Sequence, residues 1–138
     1  MDASRRMLMT GGAMGLMSFL AACGGGSLQS RLNREVERGE NVSSSGLSIG
    51  QGGGFERMMA GSVQLDVDQA HLEAAFDDAW RAAVTYLHTE DEHARNREVQ
   101  GVTGVGRDGS SISPTTWIEV PDSQITTVGM YFERYGLA

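Results

Sequence analysis

The chain of 138 residues contains no lysine, one cysteine, two prolines and three histidines. A single cysteine, Cys23, excludes an internal disulfide and any multi-cysteine metal site. All eleven basic residues are arginine, against eighteen Asp and Glu, a formal net charge of −7. From Phe55 onward fourteen acids face six arginines. Such a surface repels nucleic acid and anionic lipid, which argues against a phosphate-binding role and against a nucleic-acid partner. No long apolar run is present either. The most apolar stretch, Met7 to Ala22, is interrupted by Thr10, Gly11, Gly12, Gly15 and Ser18. A membrane-spanning helix needs about 20 mostly apolar residues, so this stretch is too short to span comfortably.

What is present at the start is a charged opening, Ser4-Arg5-Arg6, the short apolar stretch, and the small residues Ala21 and Ala22 before Cys23. Those are the three parts of a secretory signal. A buried helix is the competing reading, but Gly24-Gly25-Gly26 follows at once and leaves nothing nearby to cover it. The expected organisation is a signal peptide over residues 1–22, a segment over 23–54, and a folded domain over 55–138.

Leu20-Ala21-Ala22-Cys23 resembles the lipobox of bacterial lipoproteins at every position. The resemblance implies cleavage between Ala22 and Cys23, a diacylglyceryl thioether on the Cys23 sulfur, and a further acyl chain such as palmitate on the freed amine. Two or more chains hold a protein on a membrane stably, where one does so only marginally. Ser4-Arg5-Arg6-Met7-Leu8 also resembles the twin-arginine export signal, with Arg5 and Arg6 as its pair. Paired arginines occur in ordinary secretory signals too, so both export routes stay open. The expected address is the bacterial cell envelope, with the domain facing the periplasm and the outer membrane favoured over the inner.

Gly24 to Gly54 holds nine glycines, many serines, no aromatic residue and no proline. By composition it buries too little apolar surface to offset its ordering entropy, and it reads as a flexible tether with a reach of about 30 Å. Within it, Leu28, Leu32 and Val36 are spaced by four, enough for two or three helical turns that are marginal in isolation.

Roughly 84 residues then remain to fold, enough for one modest core. Val63, Leu65 and Val67 alternate with Gln64, Asp66 and Asp68, which predicts a half-buried strand. Phe76, Ala79, Trp80, Ala83, Val84 and Leu87 then fall on one stripe of a helix. Asp77 and Asp78 suit a first turn, placing the helix start near Ala75 rather than Ala70. Val99 to Val105 and Ser110 to Val120 flank Asp108-Gly109, a hairpin signal. Pro114 belongs at an edge or bulge, and Pro121-Asp122 at a turn. Ile125 to Phe132 alternates, with Val128, Met130 and Phe132 on one face. The expected fold is α+β: one helix on a small antiparallel sheet in the order β-α-β-β-β.

This layout resembles a family of small bacterial lipoproteins of uncharacterised function. The matching residues are Phe76 to Ala83 with its Trp80-x-Ala82-Ala83 step, then Gly101-Val102, Asp108-Gly109 and Thr126-Thr127-Val128. The likeness covers most of Val63 to Gly136, although Ala75 stands where that family often has proline. It implies structure only and carries over no catalytic residue.

No catalytic constellation emerges, and no cofactor or metal is called for. In His88-Thr89-Glu90-Asp91-Glu92-His93 the histidines are five apart, which matches neither helical zinc spacing. The segment reads as a solvated helix end. His71 stands alone, and Asp66 and Asp68 read as the wet side of the first strand. Ser43-Ser44-Ser45 and Ser110-Ser111 have no histidine near in sequence, and Gly101-x-x-Gly104-x-Gly106 precedes a turn rather than a helix, so it is no phosphate loop. Trp80 reads as core. Trp117, on the opposite parity from Ile118 and Val120, is a candidate contact residue. Two functions follow. One is a membrane-anchored structural or interaction protein that binds an envelope protein through its sheet. The other is a carrier of a small lipid or metabolite between helix and sheet. The first is favoured because so small a core leaves little room for a cavity, and an enzyme is not expected.

Overall fold

The structure is a computed structural model that describes residues 27–50, 58–118 and 125–137. In chain order it holds helix α1 (Leu28–Glu37), strands β1 (Val42–Ile49) and β2 (Met58–Leu65), and helix α2 (Gln69–Glu90). A 3-10 turn (Ala94–Asn96), β3 (Glu98–Val105), β4 (Ser111–Ile112), a second 3-10 turn (Pro114–Trp117) and α3 (Val128–Arg134) follow. The four strands form one sheet in the order β1-β2-β3-β4. The β1–β2 and β3–β4 pairs are antiparallel, and β2–β3 is parallel. The fold is therefore α+β as expected, but the sheet is mixed and the described residues hold three helices where one was expected. Parallel neighbours need a long crossover, and α2 supplies it.

The apolar stripe of α2 begins earlier than the sequence suggested. Leu72 is buried one turn before Phe76 and extends the line of Phe76, Ala79, Trp80, Ala83, Val84 and Leu87. The helix accordingly starts at Gln69, with Asp68 extended before it. Asp77 and Asp78 lie in the third turn and not the first. The free amide of Gln69 is met by Asp108 from the β3–β4 turn, at 3.2 Å from Oδ2. A carboxylate there also suits the positive end of the helix dipole.

Trp80 is fully buried and meets Tyr131 edge-on at a centroid distance of 5.3 Å. Tyr131 belongs to the segment expected to be the last strand. That segment is instead the helix α3, because its buried residues are Val128, Tyr131 and Phe132, spaced three and one apart. Only Thr127 keeps a strand-like bridge, to Glu98. Pro114 opens the second 3-10 turn, where its missing N–H costs nothing, and the strand expected over Ser110 to Val120 shrinks to Ser111–Ile112. The expected turn at Pro121 lies outside the described residues.

Two glycines shape β3. Gly101 has φ +72° and sits where the register slips by one residue against β2. This bulge switches the parity of the strand, so Val99 before it and Val102 after it both face the core. Gly104 lies under Phe76, and a Cβ there would come within 2.5 Å of the ring.

The largest departure from the sequence reading lies in residues 27–50. The part of the expected tether that is described is not a coil. Leu32 and Val36 of α1 and Leu47 and Ile49 of β1 are buried in the common core. Composition misled here because α1 contributes two apolar side chains only once α2 and the sheet are there to receive them.

Helix α1 also closes the outer edge of the sheet. Edge strands present unpaired backbone groups, and those of β1 are met by side chains four residues apart on α1. Gln29 Oε1 accepts from the Ile49 amide at 3.0 Å. The Asn33 side chain accepts from the Leu47 amide and donates to the Leu47 carbonyl, both at 2.8 Å. Glu37 Oε2 accepts from the Ser45 amide at 2.9 Å. The steps match: four helical residues rise about 6 Å, and two strand residues about 6.7 Å.

Candidate interaction surface

Helix α2 packs on one face of the sheet, over Met59, Val63, Leu65, Val99 and Val102. Alternate residues point the other way, exposed or partly exposed, and no described element packs over them. They are Ser44, Gly46 and Ser48 on β1, Ala60, Ser62 and Gln64 on β2, and Thr103 and Val105 on β3. These eight are uncharged, in a chain of net charge −7; charge enters the face at its Met58 end, where Glu98 and Gln100 flank the core-facing Val99 and Gln100 Nε2 donates to Glu98 Oε1 at 3.1 Å. The register puts Ser48 beside Ala60, Gly46 beside Ser62, and Ser62 beside Thr103. With such short side chains the face is flat, and its hydroxyls and amide offer hydrogen bonds without fixed charge. Ser43-Ser44-Ser45 thus belongs to an edge strand and not to a flexible segment; Ser43 Oγ already donates to the Gln64 carbonyl at 3.1 Å.

Aromatic side chains collect elsewhere, on the helical side. Trp117 is half-buried, stacks on Phe76 at 5.7 Å, and donates from Nε1 to Glu73 at 3.1 Å. The Arg134 guanidinium lies 4.6 Å from its ring centroid and bonds Asp77 at 3.1 Å. Asp77 also accepts from the Tyr135 hydroxyl at 2.6 Å. Trp117 is therefore a packing residue that seats the second 3-10 turn on α2, and Asp77 is a tie to α3 instead of a free solvent-facing acid. Burial pushes the hydroxyls of Tyr131 and Tyr135 well above their usual range.

The segment from His88 to His93 is the helix end expected, with Thr89, Glu90, Glu92 and His93 exposed, except that Asp91 is buried. Asp91 and Arg97 are both buried and form an ion pair at 2.5 Å. Asp91 also accepts from the His93 amide at 3.1 Å, so it clamps the end of α2 to the start of β3. The His88 ring packs edge-on against Phe132 at 4.8 Å. His71 is exposed, as expected, and its Nδ1 lies 2.9 Å from Asp68. That bond is the main cause holding the Asp68 carboxyl below its ordinary value. Asp66 lies beside Arg107 at 3.5 Å.

Among the described residues no three His, Cys, Asp or Glu side chains converge as a metal site, and no helix is long and apolar enough to cross a membrane. Arg5, Arg6, Ala22 and Cys23 lie outside the described residues. The sequence reading missed the edge-closing set Gln29, Asn33 and Glu37. Its signal was legible as amide and carboxylate residues at helical spacing beside the stripe Leu28, Leu32, Val36. No known protein family, curated protein or solved structure matches this chain.

Proposed function

We propose that this protein is a bacterial cell-envelope lipoprotein, anchored through lipid on Cys23, whose domain binds another envelope protein through the open face of its sheet. The anchoring rests on Leu20-Ala21-Ala22-Cys23 and the short apolar leader before it. The observation that supports the binding role is the neutral stretch of Ser44, Ser48, Ala60, Ser62 and Thr103, which no described element covers, within an acidic chain. The chemistry it fits is a protein with a flat neutral patch ringed by basic residues, since the acidic surroundings attract a basic rim and repel an acidic one. Storage of a small ligand between helix and sheet is the weaker reading. Phe76, Trp80, Leu87 and Tyr131 fill that space, all fully buried. The groove between α1 and α2, of about 440 Å³, opens to the surface and has Glu35, Asp78, Arg81 and Glu90 on its walls.

The test pairs two measurements. Mass spectrometry of the membrane fraction reads the lipid on Cys23; an unmodified Cys23 with Met1 still attached defeats the anchoring. Crosslinked capture from membranes of the native host is then compared between the parent and Ser62→Arg. A partner retained equally by the variant defeats the role of the sheet face, provided both proteins melt alike.

A further inference from the structure

One end of the domain gathers the start of α1, the end of β1, the start of β2, the end of α2 and the start of β3. Gln29 bonds Ile49, Ile49 pairs with Met59, and Met58 pairs with Glu98. Arg31 of α1 reaches Glu90 of α2 at 3.6 Å. The chain before α3 joins the same end, because the Val99 amide donates to the Thr126 carbonyl at 2.8 Å. Ile125 lies next to Thr126 and is 48 % exposed, the large hydrophobic side chain that stands out among the described residues. The opposite end holds the β3–β4 turn and the start of α2, with Asp66, Asp68 and Asp108 around Arg107.

The position of α1 sets how far this end stands from the lipid. Cys23 and Ser27 are separated by four residue steps, and Ser27 already caps α1, its Oγ accepting from the Ser30 amide at 3.1 Å. A fully extended chain covers about 3.6 Å per residue, so α1 begins within about 14 Å of the acylated cysteine. Crossing the headgroup layer uses roughly 5–8 Å of that span, which leaves at most about 6–9 Å between the layer and the start of α1. We infer that the mature protein rests with its Ile125 end directly against the bilayer surface, and that the acidic end and the length of the open sheet face project away from it. This inference rests on the lipid anchoring of Cys23 proposed above. It commits to the lipid surface as the occupant of this end. The end carries Arg31 and Arg95 beside Glu90, Glu92 and Glu98, a mixed set that meets zwitterionic headgroups without strong repulsion, whereas the opposite end is dominated by carboxylates.

The test uses the full chain, acylated in a bacterial host and reconstituted into phosphatidylcholine nanodiscs that contain a nitroxide-headgroup lipid. Acylation is verified by mass first, so failed anchoring is recognised before any position is read. A fluorophore is then attached to Ile125→Cys or to Ser111→Cys at the opposite end; the thioether on Cys23 does not react with the label. Quenching at 125 is expected to exceed that at 111 several-fold. Equal or reversed quenching in acylated protein overturns the inference and leaves the anchoring intact. A flexible Gly/Ser insert of about 20 residues after Gly25, with a reach of about 25 Å, is expected to bring the quenching at 125 down toward that at 111. Quenching at 125 that ignores the insert refutes the short-tether argument.

Discussion

Replacing Asn33 by alanine tests whether α1 truly closes the sheet. The Asn33 side chain makes two 2.8 Å bonds to the backbone of Leu47, one from the amide and one to the carbonyl, and accepts from Ser45 Oγ at 2.5 Å. Leu47 is buried, so in the variant its outward amide and carbonyl lose their partners where water reaches them poorly. Each orphaned buried group costs about 1–3 kcal/mol, which puts the gross loss for two groups at about 2–6 kcal/mol. Alanine is the better helix former by about 0.6 kcal/mol and offsets part of that. The net expectation is about 1.5–5 kcal/mol, and since 1 kcal/mol shifts the Tm of a domain of this size by about 4–8 °C, a fall of at least about 6 °C. Thermal melts followed by far-UV circular dichroism read it, with Arg34→Ala on the exposed side of the same helix as the control. Asn33→Asp sharpens the reasoning, because a carboxylate still accepts from the Leu47 amide but cannot donate to its carbonyl. It should therefore also destabilise. If Asn33→Ala melts with Arg34→Ala, the side-chain ladder contributes nothing and β1 is held by β2 alone. An uncovered edge strand should also raise aggregation after unfolding begins, which light scattering in the same melt would record.

Trp80→Ala should cost about 3–5 kcal/mol, since it removes the largest side chain of the core; a parent-like melt would place the indole outside. Gly104→Ala should cost about 1–3 kcal/mol through collision with the Phe76 ring. That cost should shrink in a Phe76→Leu background, and an undiminished cost would clear the ring as the obstacle. Tyr131→Phe should be neutral or stabilising by up to about 1 kcal/mol, because the buried hydroxyl has no partner among the described residues; a clear destabilisation in chemical denaturation would contradict this. Asp108 is held below its ordinary value of 3.8, chiefly by its bond from Ser110. A lowered folded pKa gives a contribution that is complete above 3.8 and fades as pH falls through the folded value. Asp108→Asn should thus lower Tm at pH 7, and its gap from the parent should narrow only below pH 3.8; a gap constant down to pH 2 would sink that assignment.

Much of the domain was legible in its residues, for reasons that are local. The phase of α2 follows from the spacing of Phe76, Trp80, Ala83 and Leu87, and the burial of Trp80 follows from that phase. The turn at Asp108-Gly109 follows from the conformational ease of that pair, and Gly109 does adopt φ +87°. The strand at Val63 and Leu65 follows from alternation. Elements whose stability comes from distant partners were a different matter. Val128, Met130 and Phe132 alternate as a strand would, while Val128, Tyr131 and Phe132 suit a helix equally well, and the contact of Tyr131 with Trp80 decides between them. Leu32 and Val36 are too few to make α1 an independent helix, and Gly46 with its serines is too polar to announce β1. Each becomes favourable only when α2, β2 and the Gln29–Asn33–Glu37 ladder are in place. The parallel pairing of β2 with β3 spans the whole of α2 and leaves no periodic mark in either strand. The outer face of the sheet was set by the same long-range packing: alternation in β2 offers two faces, and only the docking of α2 on Met59 and Val63 determines which of them no described element covers.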